Sequence, residues 1–121
     1  MVKALFDTNI LIDFFNGTPE AHEELARYDD PAISIVTWME VMVGAAPATA
    51  AATKAVLSRF RVVPLDDLVA AEAVELRRRH RMKLPDAIIW ASARIEHRLL
   101  VTRNEKDFPV SDPGVRSPYR L

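Results

Sequence analysis

Cysteine is missing from this 121-residue chain. Its absence removes disulfides, thiolate metal centres and cysteine nucleophiles at once, leaving oxygen and imidazole as the side chains that could bind a metal. Oxygen ligands favour Mg²⁺, Mn²⁺ or Ca²⁺. Also missing is any apolar run of the roughly 20 residues that a membrane-spanning helix needs. Half of the residues are apolar, but charge or proline interrupts each stretch early. The opening Met1-Val2-Lys3-Ala4-Leu5-Phe6-Asp7 lacks the apolar core and cleavage site of a secretory signal, so a soluble, cytoplasmic protein is expected. A surplus of positive charge is absent too. With 16 Lys and Arg against 17 Asp and Glu the net charge is −1, so any binding to a polyanion must come from a local basic patch or from bound cations. No repeat or long linker divides the chain. One domain, residues 1–121, is expected, burying roughly two-thirds of the surface its unfolded form exposes.

What the sequence does contain is an alternation. Apolar β-type runs lie at residues 2–6, 32–36, 60–64 and 99–102, with helical spacing between them. That order predicts an α/β fold, a parallel sheet covered by helices on both faces. A first helix is expected from about Asn9 to the Asn16-Gly17 stop. A second should follow Thr18-Pro19-Glu20, with Thr18 as N-cap, and end near Tyr28. Thr37 and Glu40 have the spacing of a capping box, which predicts a third helix opening there and running to Gly44. Residues 45–55, almost all Ala, Thr and Pro, read as a loop leading into a helix through Val56, Leu57 and Phe60. Residues 68–80 suit an amphipathic helix with a basic last turn. A further helix from Pro85-Asp86 to His97 is apolar around much of its circumference, so it is expected to be central.

Four acids stand apart from the rest. Asp7 ends the first apolar run, Glu40 follows the second, Asp107 follows the last, and Asp86 opens the helix leading into that last strand. Ligands in parallel sheets collect beyond the carboxyl ends of the strands. Each acid has an ordinary explanation as well: a turn residue at Asp7, a capping box at Glu40, a first-turn acid at Asp86, a turn into Phe108-Pro109 at Asp107. Glu23, Glu24, Glu72 and Glu75 lie among charged helix neighbours and read as solvated surface. The spacing separates these two populations, and four carboxylates meeting at one edge would suit a hard divalent cation.

Asp7-Thr8-Asn9, residues 34–40 with Gly44 four residues on, Leu84-Pro85-Asp86-Ala87, and Thr102-Arg103-Asn104 ahead of Asp107-Phe108 together resemble the PIN-domain ribonucleases, in particular VapC-type toxins of toxin-antitoxin pairs. The resemblance spans nearly the whole chain. It implies a three-layer α/β/α fold with a central parallel sheet of four to five strands, the fifth coming from the tail around Tyr119. It also implies that Asp7, Glu40, Asp86 and Asp107 bind one or two Mg²⁺ or Mn²⁺ ions, with Thr102 and Asn104 ordering the cluster. Glu105 is close enough in sequence to substitute for Asp107. The implied reaction is hydrolysis of an RNA phosphodiester to 5′-phosphate and 3′-hydroxyl ends. The implied partners are a cognate VapB-like antitoxin and a second copy of the chain.

Two other functions compete. A Mg²⁺ phosphatase with an aspartyl nucleophile would want a second Asp two residues after Asp7, where this chain has Asn9. A catalytically silent binding module would keep the fold without needing the acids. The basic stretch Arg77 to Lys83 has two readings, phosphate contact or a solvated helix end. Trp38 and Trp90 are expected in the core, and His22, His80 and His97 at the surface.

Overall fold

The structure is a computed structural model describing residues 2–121. Its elements run β1 (Ala4–Phe6), α1 (Thr8–Phe15), α2 (Pro19–Ala26), β2 (Ala32–Ser34), α3 (Ile35–Gly44), α4 (Ala50–Leu57), β3 (Arg61–Val63), α5 (Asp67–His80), α6 (Leu84–Ile95), β4 (Leu99–Val101) and β5 (Val115–Arg116). The five strands form one parallel sheet in the order β3-β2-β1-β4-β5. Strand order therefore reverses between β1 and β4, and the crevice for a ligand opens beyond their carboxyl ends.

Alternation along these short strands divides the interior in two. Leu5, Ala32 and Leu100 face one side, where they meet Val69, Ala73 and Leu76 of α5 and Ile89, Trp90 and Ala93 of α6. Phe6, Ile33 and Val101 face the other, packing on Ile10 and Leu11 of α1, Val41 of α3 and Leu57 of α4. Both sheet faces are thus covered, which is the three-layer α/β/α arrangement. Trp90 is fully buried and Trp38 packs against the second cluster. Among the described residues no helix is long and apolar enough to cross a membrane.

Several local expectations need correction. Helix α3 starts at Ile35, and its cap is Ser34, whose hydroxyl accepts from the Val36 amide at 3.1 Å. Thr37 and Glu40 therefore lie inside the helix and form no capping box. Thr18 precedes α2 but makes no side-chain cap bond; Pro19 alone marks the start. Helix α4 begins at Ala50, within the stretch expected to be loop, because a run of Ala favours helix even without bulky anchors. The fifth strand is Val115–Arg116, a few residues before Tyr119. Glu24 is 4% exposed rather than solvated, and its carboxylate takes a bidentate pair from Arg116 at 2.7 and 3.1 Å.

Candidate acidic site

Asp7 leaves β1 and caps α1. Its amide donates to the Val101 carbonyl at 2.9 Å, extending the ladder with β4, while its Oδ1 accepts from the Thr8 amide at 2.7 Å. The other oxygen, Oδ2, accepts from Thr102 Oγ1 at 2.8 Å and Asn9 Nδ2 at 3.2 Å. The register that pairs Phe6 with Val101 brings Asp7 and Thr102 side by side at the reversal of strand order. Asp7 is 4% exposed. Burial pushes its carboxyl up to about 6, against the opposing bonds from Thr102 and Thr8, and the charges of Asp86 and Glu40 add to the rise.

Asp86 sits in the first turn of α6 and is half-buried. Its carboxyl is raised by burial, then by the negative charge of Asp107 and Glu40, with Lys83 opposing. Glu40, exposed on α3, accepts from Thr8 Oγ1 at 2.6 Å. Thr37 Oγ1 lies 3.0 Å from the same hydroxyl. A hydroxyl carries one hydrogen, so with Thr8 donating to Glu40, Thr37 donates to Thr8 and a relay runs from α3 through α1 back to α3.

The loop after β4 places the last acid. Thr102 Oγ1 accepts from the Asn104 amide at 3.0 Å; Asn104 Nδ2 donates to Asp107 Oδ2 at 2.9 Å, and the Asp107 amide returns to Asn104 Oδ1 at 3.2 Å. Glu105 points elsewhere, gripped by Arg120 at 2.9 Å through both oxygens and by Ser117 at 2.9 Å. Asp107, and not Glu105, is therefore the acid that faces Asp86.

All four sequence-selected acids share one electrostatic neighbourhood: Asp7 with Asp86 and Glu40, and Asp86 with Asp107 and Glu40. Among the described residues no three Asp, Glu or His side chains are already gathered into a cage for a metal ion. The donor chemistry nonetheless fits a hard divalent cation. It is all carboxylate oxygen, it is partly buried, and its mutual repulsion is what a cation relieves. Thr8, Asn9 and Thr37 hold the acids too, roles that the Asp7-Thr8-Asn9 triplet could have signalled. Beside Glu40 an open groove runs between α1, α3 and α4, lined by Ile12, Phe15, Val41, Ala46 and Thr53. Phe15 and Met39 are exposed, whereas Phe14 stacks on His22.

The PIN domain family model matches residues 4–110. Ribonuclease VapC10 of Mycobacterium tuberculosis strain H37Rv is 33% identical, covering 97% of this chain and 93% of its own length. Among solved structures, a toxin-antitoxin complex from Klebsiella pneumoniae has 47% identity and a TM-score of 0.93, covering 98% of this chain and 99% of that one. DNA-bound VapBC from Salmonella typhimurium has 25% identity and a TM-score of 0.76, covering 96% of each chain. On the family match and the full-length relative together, this chain belongs to the PIN domain family.

Proposed function

We propose that this chain is the toxin of a type II toxin-antitoxin pair, a divalent-metal-dependent ribonuclease that hydrolyses RNA phosphodiesters and is neutralised by a VapB-like antitoxin. The observation that carries the reading is a buried carboxylate, Asp7, beside three further acids at the point where the strand order reverses. The names borne by its relatives, a ribonuclease and a toxin-antitoxin complex, agree with it.

Asp7, Asp86 and Asp107 would hold Mg²⁺ or Mn²⁺. A bound cation would supply Lewis-acid activation of water and neutralise the phosphate. The protein's own part is positional. Thr102 and Asn9 fix the orientation of Asp7, and Asn104 fixes that of Asp107. Glu40, held by Thr8 but open to solvent, orients the attacking water and takes its proton as the oxygen–phosphorus bond forms. The bond to the 3′ oxygen breaks, and that oxygen takes a proton from solvent water, leaving 5′-phosphate and 3′-hydroxyl ends. The antitoxin would occupy the groove beside Glu40, with Ile12 and Phe15 as its apolar wall.

Cleavage of single-stranded RNA with Mn²⁺ and with chelator tests the reading. Glu40→Gln should lower the rate on the order of 10²-fold or more, the usual yield of a positioned proton acceptor. Equal cleavage in metal and in chelator would overturn the metal dependence, and no cleavage in either would favour the silent binding module.

A further inference from the structure

We propose that Arg79, Arg81 and Lys83, exposed at the turn between α5 and α6, form a track that carries the RNA backbone to Asp86; this rests on the ribonuclease reading above. Of the 16 Lys and Arg in the chain, nine lie within ion-pair distance of a carboxylate among the described residues. Of the seven that do not, Arg77, Arg79, Arg81 and Lys83 fall in one short segment, Lys106 adjoins Asp107, and Lys54 and Arg59 lie in and just after α4. The fold's own salt bridges thus leave spare positive charge chiefly in the turn that leads into Asp86.

Local stability accounts for only part of this charge. Cations in the last turn of α5, Arg79 among them, complement its dipole, but Arg81 and Lys83 lie beyond that turn. Lys83 is the N-cap of α6, where the helix dipole disfavours a cation, and it makes no side-chain cap. Arg81 closes α5 in the left-handed conformation, φ 53°, which costs a non-glycine residue about 1 kcal/mol or more. Residues that break local preference at the lip of a site point to function. Arg77 has a structural task, donating to the Met82 carbonyl at 3.1 Å, and with Arg78, Arg81 and Val74 it lines an open concavity. Lys83 acts on Asp86 electrostatically.

The physical need is plain. Four carboxylates repel a phosphodiester, and the chain's net charge offers no compensation. Phosphates must therefore be held by cations within about a Debye length, roughly 8 Å at physiological salt, and Lys83, which acts on Asp86, anchors the free ones of this turn there.

The test is salt-dependent binding of a short fluorescent single-stranded RNA, in chelator so that nothing is cut. It compares the intact protein with an Arg79→Gln, Arg81→Asn, Lys83→Gln triple variant and a Lys54→Gln, Arg59→Gln control. Each lost phosphate contact flattens the slope of log affinity against log salt by about 0.7, so about 2 for the triple variant and none for the control. With Mn²⁺ present, KM should rise while kcat holds. Asn tolerates the left-handed position at residue 81, and an unchanged melting temperature checks the fold. An unchanged slope in a protein that still cleaves RNA would overturn the track while sparing the ribonuclease reading; failure of the intact protein to cleave would sink that reading instead. Loss of poly-glutamate binding with RNA binding intact would assign the patch to an acidic protein partner and overturn the track as well.

Discussion

A carboxylate raised to about 6 from a usual 3.8 makes Asp7 a destabilising group at neutral pH. Between those values the folded chain keeps a proton that the unfolded chain has released. Stability therefore falls as pH rises through about 4 to 6, and the loss is complete above that window. At 1.36 kcal/mol per unit the cost is about 3 kcal/mol at most. Asp86, raised by burial and by Asp107, acts in the same sense. Glu24 acts in the opposite one: held down by Arg116 and Tyr28, it stabilises above its usual 4.5 and loses that contribution on acidification below it. In chelator, the melting temperature should thus fall from about pH 5 to about pH 7. Mn²⁺ at a hundredfold excess over its dissociation constant should return about 2.7 kcal/mol. Because the ion displaces a proton from Asp7, Mn²⁺ affinity should weaken as pH drops below about 6. A melting temperature that rises through this window would mean that Asp7 is not a buried acid with a raised pKa.

At the scale of elements, α3 separates two readings of the same stretch. Its cap is Ser34, so Ser34→Ala should cost about 1 kcal/mol in denaturant unfolding. Thr37→Val keeps the cap and removes the donor to Thr8, so it should cost about as little as one hydrogen bond, about 1 kcal/mol. Its main effect should fall on cleavage, since the relay to Glu40 is broken. A Thr37 variant that unfolds the chain while leaving cleavage per folded molecule unchanged would contradict this. The sequence pattern placed the strands and most helices, because burial on both sheet faces leaves continuous apolar runs. It misjudged α3 because Ser34 and Thr37 are both good caps, and tertiary contact with Thr8, far away in sequence, decides between them. Alanine-rich α4 looked like loop for want of side chains to pack, and a two-residue β5 carries no pattern at all. All four acids were legible since a parallel sheet gathers the residues just past its strand ends along one edge; the Asp7-Thr8-Asn9 triplet marked Thr8 and Asn9 as well, whereas Thr37, inside a helix, carried no such mark.

Across the whole molecule, the segment after β5 returns to the site, although the family match ends at residue 110. Tyr119 donates to Asp13 Oδ2 at 2.8 Å, and the same carboxylate takes Arg103 at 2.7 and 3.0 Å. The Arg103 amide donates to Asn9 Oδ1 at 3.2 Å, and Asn9 turns its amide nitrogen to Asp7. Arg120 meanwhile grips Glu105, so the tail ties down the loop carrying Asn104 and Asp107. Asp13 is 5% exposed, which makes its loss expensive: Asp13→Asn should cost about 1–3 kcal/mol by leaving Arg103 short of a charged acceptor. Tyr119→Phe should cost about 1 kcal/mol, and because the two share one carboxylate, their effects should couple by about 0.5 kcal/mol or more in a double-mutant cycle. Arg120→Ala removes only a half-open pair, so its melting temperature should barely move. If the tail positions Asp107 and Asn9 as well as stabilising the sheet edge, all three variants should weaken Mn²⁺ binding more than their stabilities require. Mn²⁺ titration by electron paramagnetic resonance below each variant's melting temperature reads that difference, and affinities that track stability alone would reduce the tail to a fastening for β5.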